Sequence, residues 1–244
     1  MTDFGSGRDG NPATAVENGV VDTVCFDLDH TLCRYTRPGS EILSRAFERV
    51  GLETDAPWTV DDYYGRYRTY LEESSGADDL RRRCFADLAV DAGYDRETGR
   101  AVADAYGEYR DREAVEPLPG ARNVLETLAT ENQLGLITNG EPGMQRAKLE
   151  ATGLDAHFET VVYAGYDTAA KPSAEPFERA LDALGSTPDR AVYVGNSLAS
   201  DVAGARAAGM QSVWVPHGQD VPETPDPTPT YRLEGLAELS SPPW

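Results

Sequence analysis

The chain alternates short apolar runs with longer stretches of helical period. Val21 to Phe26 is a brief, largely β-branched run, the pattern of a strand buried on both faces. Further runs recur at Gln133–Ile137, Thr160–Ala164, Ala191–Val194 and Ser212–Val215, with a short one at Thr230–Leu233. Amphipathic segments separate them: Ala121–Thr130, Gly143–Thr152 with Gly153 as its C-terminal cap, Ala174–Leu184 and Ala199–Ala208. Strands that alternate with helices predict a parallel sheet with right-handed crossovers. Residues 40–114 break this rhythm. They predict helices at roughly 40–50, 59–74, 77–92 and 95–113, punctuated by Gly51, Pro57, Gly76 and Gly93, with no strong strand. Glu116-Pro117-Leu118-Pro119-Gly120 then reads as a stiff return linker. The expected architecture is α/β, with a helical insertion between the first strand and the rest.

The ends of the runs carry the polar groups. The first stops at Asp27-Leu28-Asp29, the sole Asp-x-Asp in the chain. Side chains two apart on a strand point the same way, so the two acids can share a site. The second run ends in Thr138-Asn139, Lys171 lies beyond the third, and the fourth ends in Gly195-Asn196-Ser197 with Asp201 just after. In a parallel sheet these edges converge on one crevice. Carboxylates, a hydroxyl and a lysine are what phosphoryl transfer to an acid requires.

The pattern resembles the haloacid dehalogenase superfamily of phosphohydrolases over roughly residues 20–217. Asp27-Leu28-Asp29-His30-Thr31 is similar to its first motif, Thr138-Asn139-Gly140 to the second, Lys171-Pro172 to the third, and Gly195 to Asp201 to the fourth, in the family's order. The resemblance implies a Rossmann-like, doubly wound parallel sheet in a three-layer α/β/α core, with a helical cap of the first type. The corresponding division is a flexible tail at 1–18, core at 19–36 and 116–244, and cap at 37–115. It also implies roles. Asp27 attacks phosphorus; Asp29 protonates the leaving oxygen and then deprotonates water. Thr138 and the backbone at Asn139 hold phosphoryl oxygens, and Lys171 neutralises nucleophile and phosphate. Mg²⁺ is held by Asp27, the backbone of Asp29, and Asn196 and Asp201. The family's dehalogenases lack the second acid, so Asp29 favours phosphate-ester hydrolysis. Asn196 departs from the usual Asp, which weakens the metal site. A catalytically weak relative that only binds a phosphorylated ligand or a protein partner is the alternative reading.

Composition narrows the partners. A net charge of −20 excludes nucleic acid, which needs a basic patch. No apolar run approaches the ~20 residues of a membrane span, and the start lacks a signal-peptide pattern. Three irregularly spaced cysteines suit a reducing cytoplasm. The acid-rich composition has only two lysines, Lys148 and Lys171, and resembles proteins of salt-loving archaea. The expectation is a cytoplasmic monomer or homodimer acting on a small phosphorylated metabolite.

Within the insertion, Tyr63, Tyr67 and Tyr70 share a helix face, with Arg66 and Arg68 among them. Packing explains the tyrosines. A substrate-facing wall of Tyr35, Arg37, Arg66 and Tyr67 is the functional expectation. A serine-hydrolase reading of Ser197, Asp201 and His217 fails because position 199 is Ala, not the Gly of a nucleophile elbow.

Overall fold

A computed structural model describes residues 20–52, 57–70, 73–110, 114–217 and 221–244; the side chain of Arg68 and the expected tail at 1–18 lie outside the described residues. The chain runs through β1 (Thr23–Phe26), β2 (Cys33–Tyr35), α1 (Gly39–Val50), α2 (Val60–Tyr70), α3 (Ala77–Asp91), α4 (Arg96–Tyr109), β3 (Val115–Pro117) and α5 (Ala121–Leu128). It continues through β4 (Gln133–Thr138), α6 (Pro142–Thr152), β5 (Thr160–Tyr163), α7 (Glu175–Leu184), β6 (Ala191–Gly195), α8 (Ala203–Ala207), β7 (Gln211–Trp214) and β8 (Tyr231–Arg232).

Six strands form one parallel sheet in the order β5-β4-β1-β6-β7-β8. The chain builds outward from β1 on one side, then returns to its other side at β6. That reversal opens a crevice at the carboxyl edge of β1. The alternation of β1 and β6 divides the core into two layers. Val24, Phe26, Val192 and Val194 pack with Val124, Leu125 and Leu128 of α5. Cys25, Ala191 and Tyr193 pack on the opposite face with Phe177, Ala180 and Leu181 of α7. The expected α/β fold, with helices on both faces of a parallel sheet, is the one observed.

The helices α1 to α4 share a separate apolar cluster around Phe47, Trp58, Leu80, Phe85 and Tyr106. The sequence reading missed one element here. Cys33–Tyr35 and Val115–Pro117 pair as an antiparallel ribbon, with Tyr35 opposite Val115. Both runs are three residues long, too short for a periodic signal, and Pro117 disguises the second. The ribbon clasps the two chain crossings that lead into the helical unit. The second insertion helix is described as far as Tyr70, and residues 73 and 74, expected in it, are not helical. Between residues 198 and 202 the backbone makes one wide π turn before α8, so the expected single helix over 199–208 is split.

Candidate active site

Asp27 directly follows β1, and its N–H donates to Val194 O at 2.9 Å, so the central ladder fixes it. Lys171 stands opposite. Its Nζ lies 2.8 Å from Asp27 Oδ1 and 2.8 Å from Asp201 Oδ1, and it donates to Tyr193 OH at 2.7 Å and Ile137 O at 3.0 Å. The backbone of Lys171 is clamped by the Asn139 side chain, which accepts from its N–H at 2.8 Å and donates to its carbonyl at 3.1 Å. Asn139 therefore acts on the lysine through its amide group. Asp201 is buried and fully engaged, because Oδ2 also accepts from Ser197 N at 2.9 Å. It reaches that place because residue 195 is Gly: an added Cβ would sit 2.5 Å from the Asp201 carboxylate.

Asp29 has different company. Lys148 Nζ lies 2.5 Å from its Oδ1, and Gln145 Nε2 donates to its Oδ2 at 2.8 Å and to Thr138 Oγ1. Gln145 and Lys148 are three apart on α6, on the face that also buries Leu149 and Thr152. Glu141 caps this helix by accepting from Gly143 N and Met144 N. Gly140 leaves the room that Gln145 needs; a Cβ there would meet the Gln145 amide at 2.3 Å.

The two acids are pushed in opposite directions. Burial drives the Asp27 carboxyl up to about 7; Lys171 opposes this and Asp201 adds to it. Burial also acts to raise Asp29, but the Lys148 ammonium and the hydrogen bonds from Lys148 and Gln145 outweigh it and hold the carboxyl below its ordinary value.

A third feature lies between Asp27 and Asn196. The Thr31 hydroxyl is 3.2 Å from Asp27 Oδ2 and 3.3 Å from Asn196 Oδ1, and its single proton can serve only one of them at a time. The result is an oxygen-lined notch short of positive charge. Among the described residues no trio of His, Cys, Asp or Glu side chains gathers into a cage. One carboxylate with amide and hydroxyl oxygens fits Mg²⁺, which keeps waters and substrate phosphate in its shell, better than it fits zinc.

A cavity of ≈ 760 Å³ joins these groups to the underside of the helical unit. Asp27, Asp29, Thr138, Asn139, Lys171, Asn196 and Asp201 all line it, with Tyr35, Arg37 and Tyr67 on the far wall. Arg66 does not. It is turned away onto Asp91, with Asp87 at 3.9 Å, because these acids of α3 lie beside α2. Tyr70 likewise gives its hydroxyl to Asp87, and Tyr63 is buried in the apolar cluster of the helical unit. Ser197 Oγ accepts from Ser200 N, a turn role and not that of a nucleophile.

A family model for haloacid dehalogenase-like hydrolases matches residues 21–209. The chain belongs to the haloacid dehalogenase-like hydrolases. Among curated relatives, a phosphoserine phosphatase of Thermus thermophilus is 37% identical, covering 88% of this chain and 96% of the relative. A glyceraldehyde 3-phosphate phosphatase of Pyrococcus furiosus is 30% identical over 82% of each chain. Among solved structures, a 2-haloacid dehalogenase of Pseudomonas syringae pv. Tomato DC3000 superposes with a TM-score of 0.61 at 28% identity, covering 90% of this chain and 96% of that one. With two phosphatases related over most of its length, this haloacid dehalogenase-like hydrolase is a phosphatase. No helix of the described residues is long and apolar enough to cross a membrane.

Sequence reasoning missed Gln145 and Lys148 as site residues. A usable signal was present. In a chain with two lysines among 22 basic residues, each retained lysine is a candidate for work that Arg cannot do. Both lysines are buried at the site.

Proposed function

We propose that this enzyme hydrolyses a small phosphomonoester through an aspartyl-phosphate on Asp27, with Mg²⁺ as cofactor. The observation that carries the reading is the division of the Asp27 carboxylate. One oxygen is held by Lys171, and the other faces the Thr31–Asn196 notch beside the cavity. The relatives' named substrates, phosphoserine and glyceraldehyde 3-phosphate, are small phosphomonoesters, which supports the same class here.

Asp27 attacks phosphorus, forming an acyl-phosphate bond as the ester P–O bond breaks. The leaving oxygen takes a proton from Asp29. Water then attacks the same phosphorus and gives a proton back to Asp29. The acyl-phosphate bond breaks and the Asp29 proton leaves with the phosphate, restoring both acids. Because Lys148 keeps Asp29 ionised at rest, the first proton comes with the substrate: a phosphomonoester near pH 6 is part monoanion, and that proton passes to Asp29. Thr138 and the backbone at Asn139 receive phosphoryl oxygens. Lys171 offsets their charge and keeps Asp201 neutralised. Asp27, Asn196 and the backbone of Asp29 would hold Mg²⁺, with Asp201 supporting the site from behind through Ser197. Bound there, the ion supplies positive charge that lowers the Asp27 carboxyl from about 7 and offsets the phosphoryl charge.

Turnover of p-nitrophenyl phosphate in high salt, with Mg²⁺ and with EDTA, tests this reading. Acid quenching during turnover should trap a phosphoenzyme that hydroxylamine cleaves. Full activity in EDTA would remove the metal from the mechanism, and the absence of hydroxylamine-labile label during turnover would remove the intermediate. No turnover with any divalent ion would leave a binding protein.

A further inference from the structure

The catalytic groups occupy the lower part of the cavity, and its upper wall contains an arginine with no carboxylate partner among the described residues. Arg110 follows the end of α4 and lines the cavity. Its Nη1 donates to Tyr106 OH at 2.6 Å, and its guanidinium carbon stands 4.3 Å from the centroid of the Tyr35 ring. Its Nε and the Tyr35 hydroxyl are buried and have no hydrogen-bond partner other than each other's side chain. No carboxylate pairs with Arg110 among the described residues. Its neighbours in the helical unit differ: Arg49, Arg81, Arg82 and Arg96 each hold a carboxylate. A half-buried guanidinium with phenol rings but no carboxylate at hand is costly unless an anion arrives to match it.

The position is within a small molecule's reach of the chemistry. Lys148 Nζ, which holds Asp29, lies 4.9 Å from the same Tyr35 centroid. The two cations are thus no more than about 9 Å apart across one ring.

We infer that Arg110, with Tyr35 and Tyr106, forms a subsite for a carboxylate on the leaving-group side of the substrate. The substrate class is then a short phosphomonoester that bears a carboxylate. One guanidinium matches one negative charge, and its planar fork suits a carboxylate. A second phosphate dianion would meet a cavity already lined by Asp27, Asp29 and Asp61. The inference rests on the phosphatase reading above and deepens it.

The test compares kcat/KM for phosphoglycolate and 3-phosphoglycerate with that for ethyl phosphate and glycerol 3-phosphate, in wild type, Arg110→Gln and Tyr35→Phe. Wild type should favour the carboxylates by on the order of 100-fold. Arg110→Gln should collapse that ratio, mainly through KM, and Tyr35→Phe should reduce it in part. A wild type that hydrolyses both groups equally overturns the subsite while leaving the phosphatase reading intact, and this arm does not depend on any variant folding. An unchanged ratio in Arg110→Gln also overturns it. A wild type inactive on every ester, p-nitrophenyl phosphate included, overturns the phosphatase reading on which the subsite rests.

Discussion

The two lysines of this chain each hold one acid of the same Asp-x-Asp, and they hold it differently. Lys171 is fixed by four oxygens, two of them carboxylate, in a buried nest behind Asp27. Lys148 holds one carboxylate and rests against the Tyr35 ring at the cavity wall. Burial, with Asp201 crowded around the same ammonium, pushes Asp27 up to about 7. Asp29 has an ammonium and an amide to itself and is pulled down. In the proposed mechanism the two carboxylates, two residues apart, are given different work, the environment and not the side chain deciding which. In that mechanism the Asp27 side needs added positive charge before it is a nucleophile. The arrangement on the Asp29 side is already a base.

The first way to break this comparison is to remove the charge at Asp27. Asp27→Asn should lower kcat by roughly 10⁴-fold or more and abolish the phosphoenzyme. The same variant should make the metal-free protein more stable. A carboxyl raised in the folded state contributes stability that is present below its unfolded pKa and is lost as pH rises through about 7. Wild type without metal should therefore lose stability between about pH 4 and 7 from this group, and Asn removes the loss. Thermal unfolding in EDTA at pH 8 should show a higher Tm for Asp27→Asn; a lower one would mean that Lys171 needs both carboxylates more than burial penalises them.

Asp29→Asn should cost roughly 10²- to 10³-fold on an alkyl phosphate and much less on p-nitrophenyl phosphate, whose leaving group needs no proton. Equal losses on both would contradict the assignment of Asp29 to the leaving oxygen. Lys148→Met should be milder, about tenfold at neutral pH. Its signature is a direction. Without the ammonium, burial raises the Asp29 carboxyl, so every limb of the pH–rate profile that reports Asp29 moves to higher pH. A profile that falls in height without moving would make Lys148 a packing residue only.

Much of this site was legible in the sequence because its parts sit at strand ends. An apolar run that stops at an acid declares both the strand and the edge, and Asp27, Thr138, Asn139 and Asn196 were found that way. Lys171 and Asp201 lie just past such edges and were found with them. What was not legible depends on contacts across elements. Gln145 and Lys148 sit on an ordinary helix face, and only the approach of α6 to β1 makes them partners of Asp29. Arg66 reads as a neighbour of the tyrosines, yet the helical rotation carries it to Asp91. Arg110, far from any motif, shows itself only by lining the cavity without a carboxylate partner among the described residues.

The smallest expected effect tests the Asp27 side at its weakest point. The notch between Asp27 and Asn196 has one formal charge where two carboxylates would be expected of the family, and the Thr31 proton is shared between their oxygens. Asn196→Asp adds the missing charge in nearly the same shape, and its backbone carbonyl, which accepts from Trp214 Nε1 at 2.8 Å, is unaffected. The Mg²⁺ activation midpoint should fall about tenfold, equivalent to about 1.4 kcal/mol. kcat need not rise, because the same charge repels the incoming phosphate. In wild type the midpoint should also fall as pH rises from 6 to 8, since the ion competes with a proton for Asp27, whose carboxyl stands at about 7. Asn196→Asp raises the charge beside Asp27 and so should move this dependence to higher pH. Metal titrations at fixed ionic strength and three pH values separate the possibilities. A midpoint unmoved by Asn196→Asp takes residue 196 out of the metal shell. A midpoint flat with pH means that Asp27 is already ionised before the ion arrives, and that Lys171 alone outweighs burial.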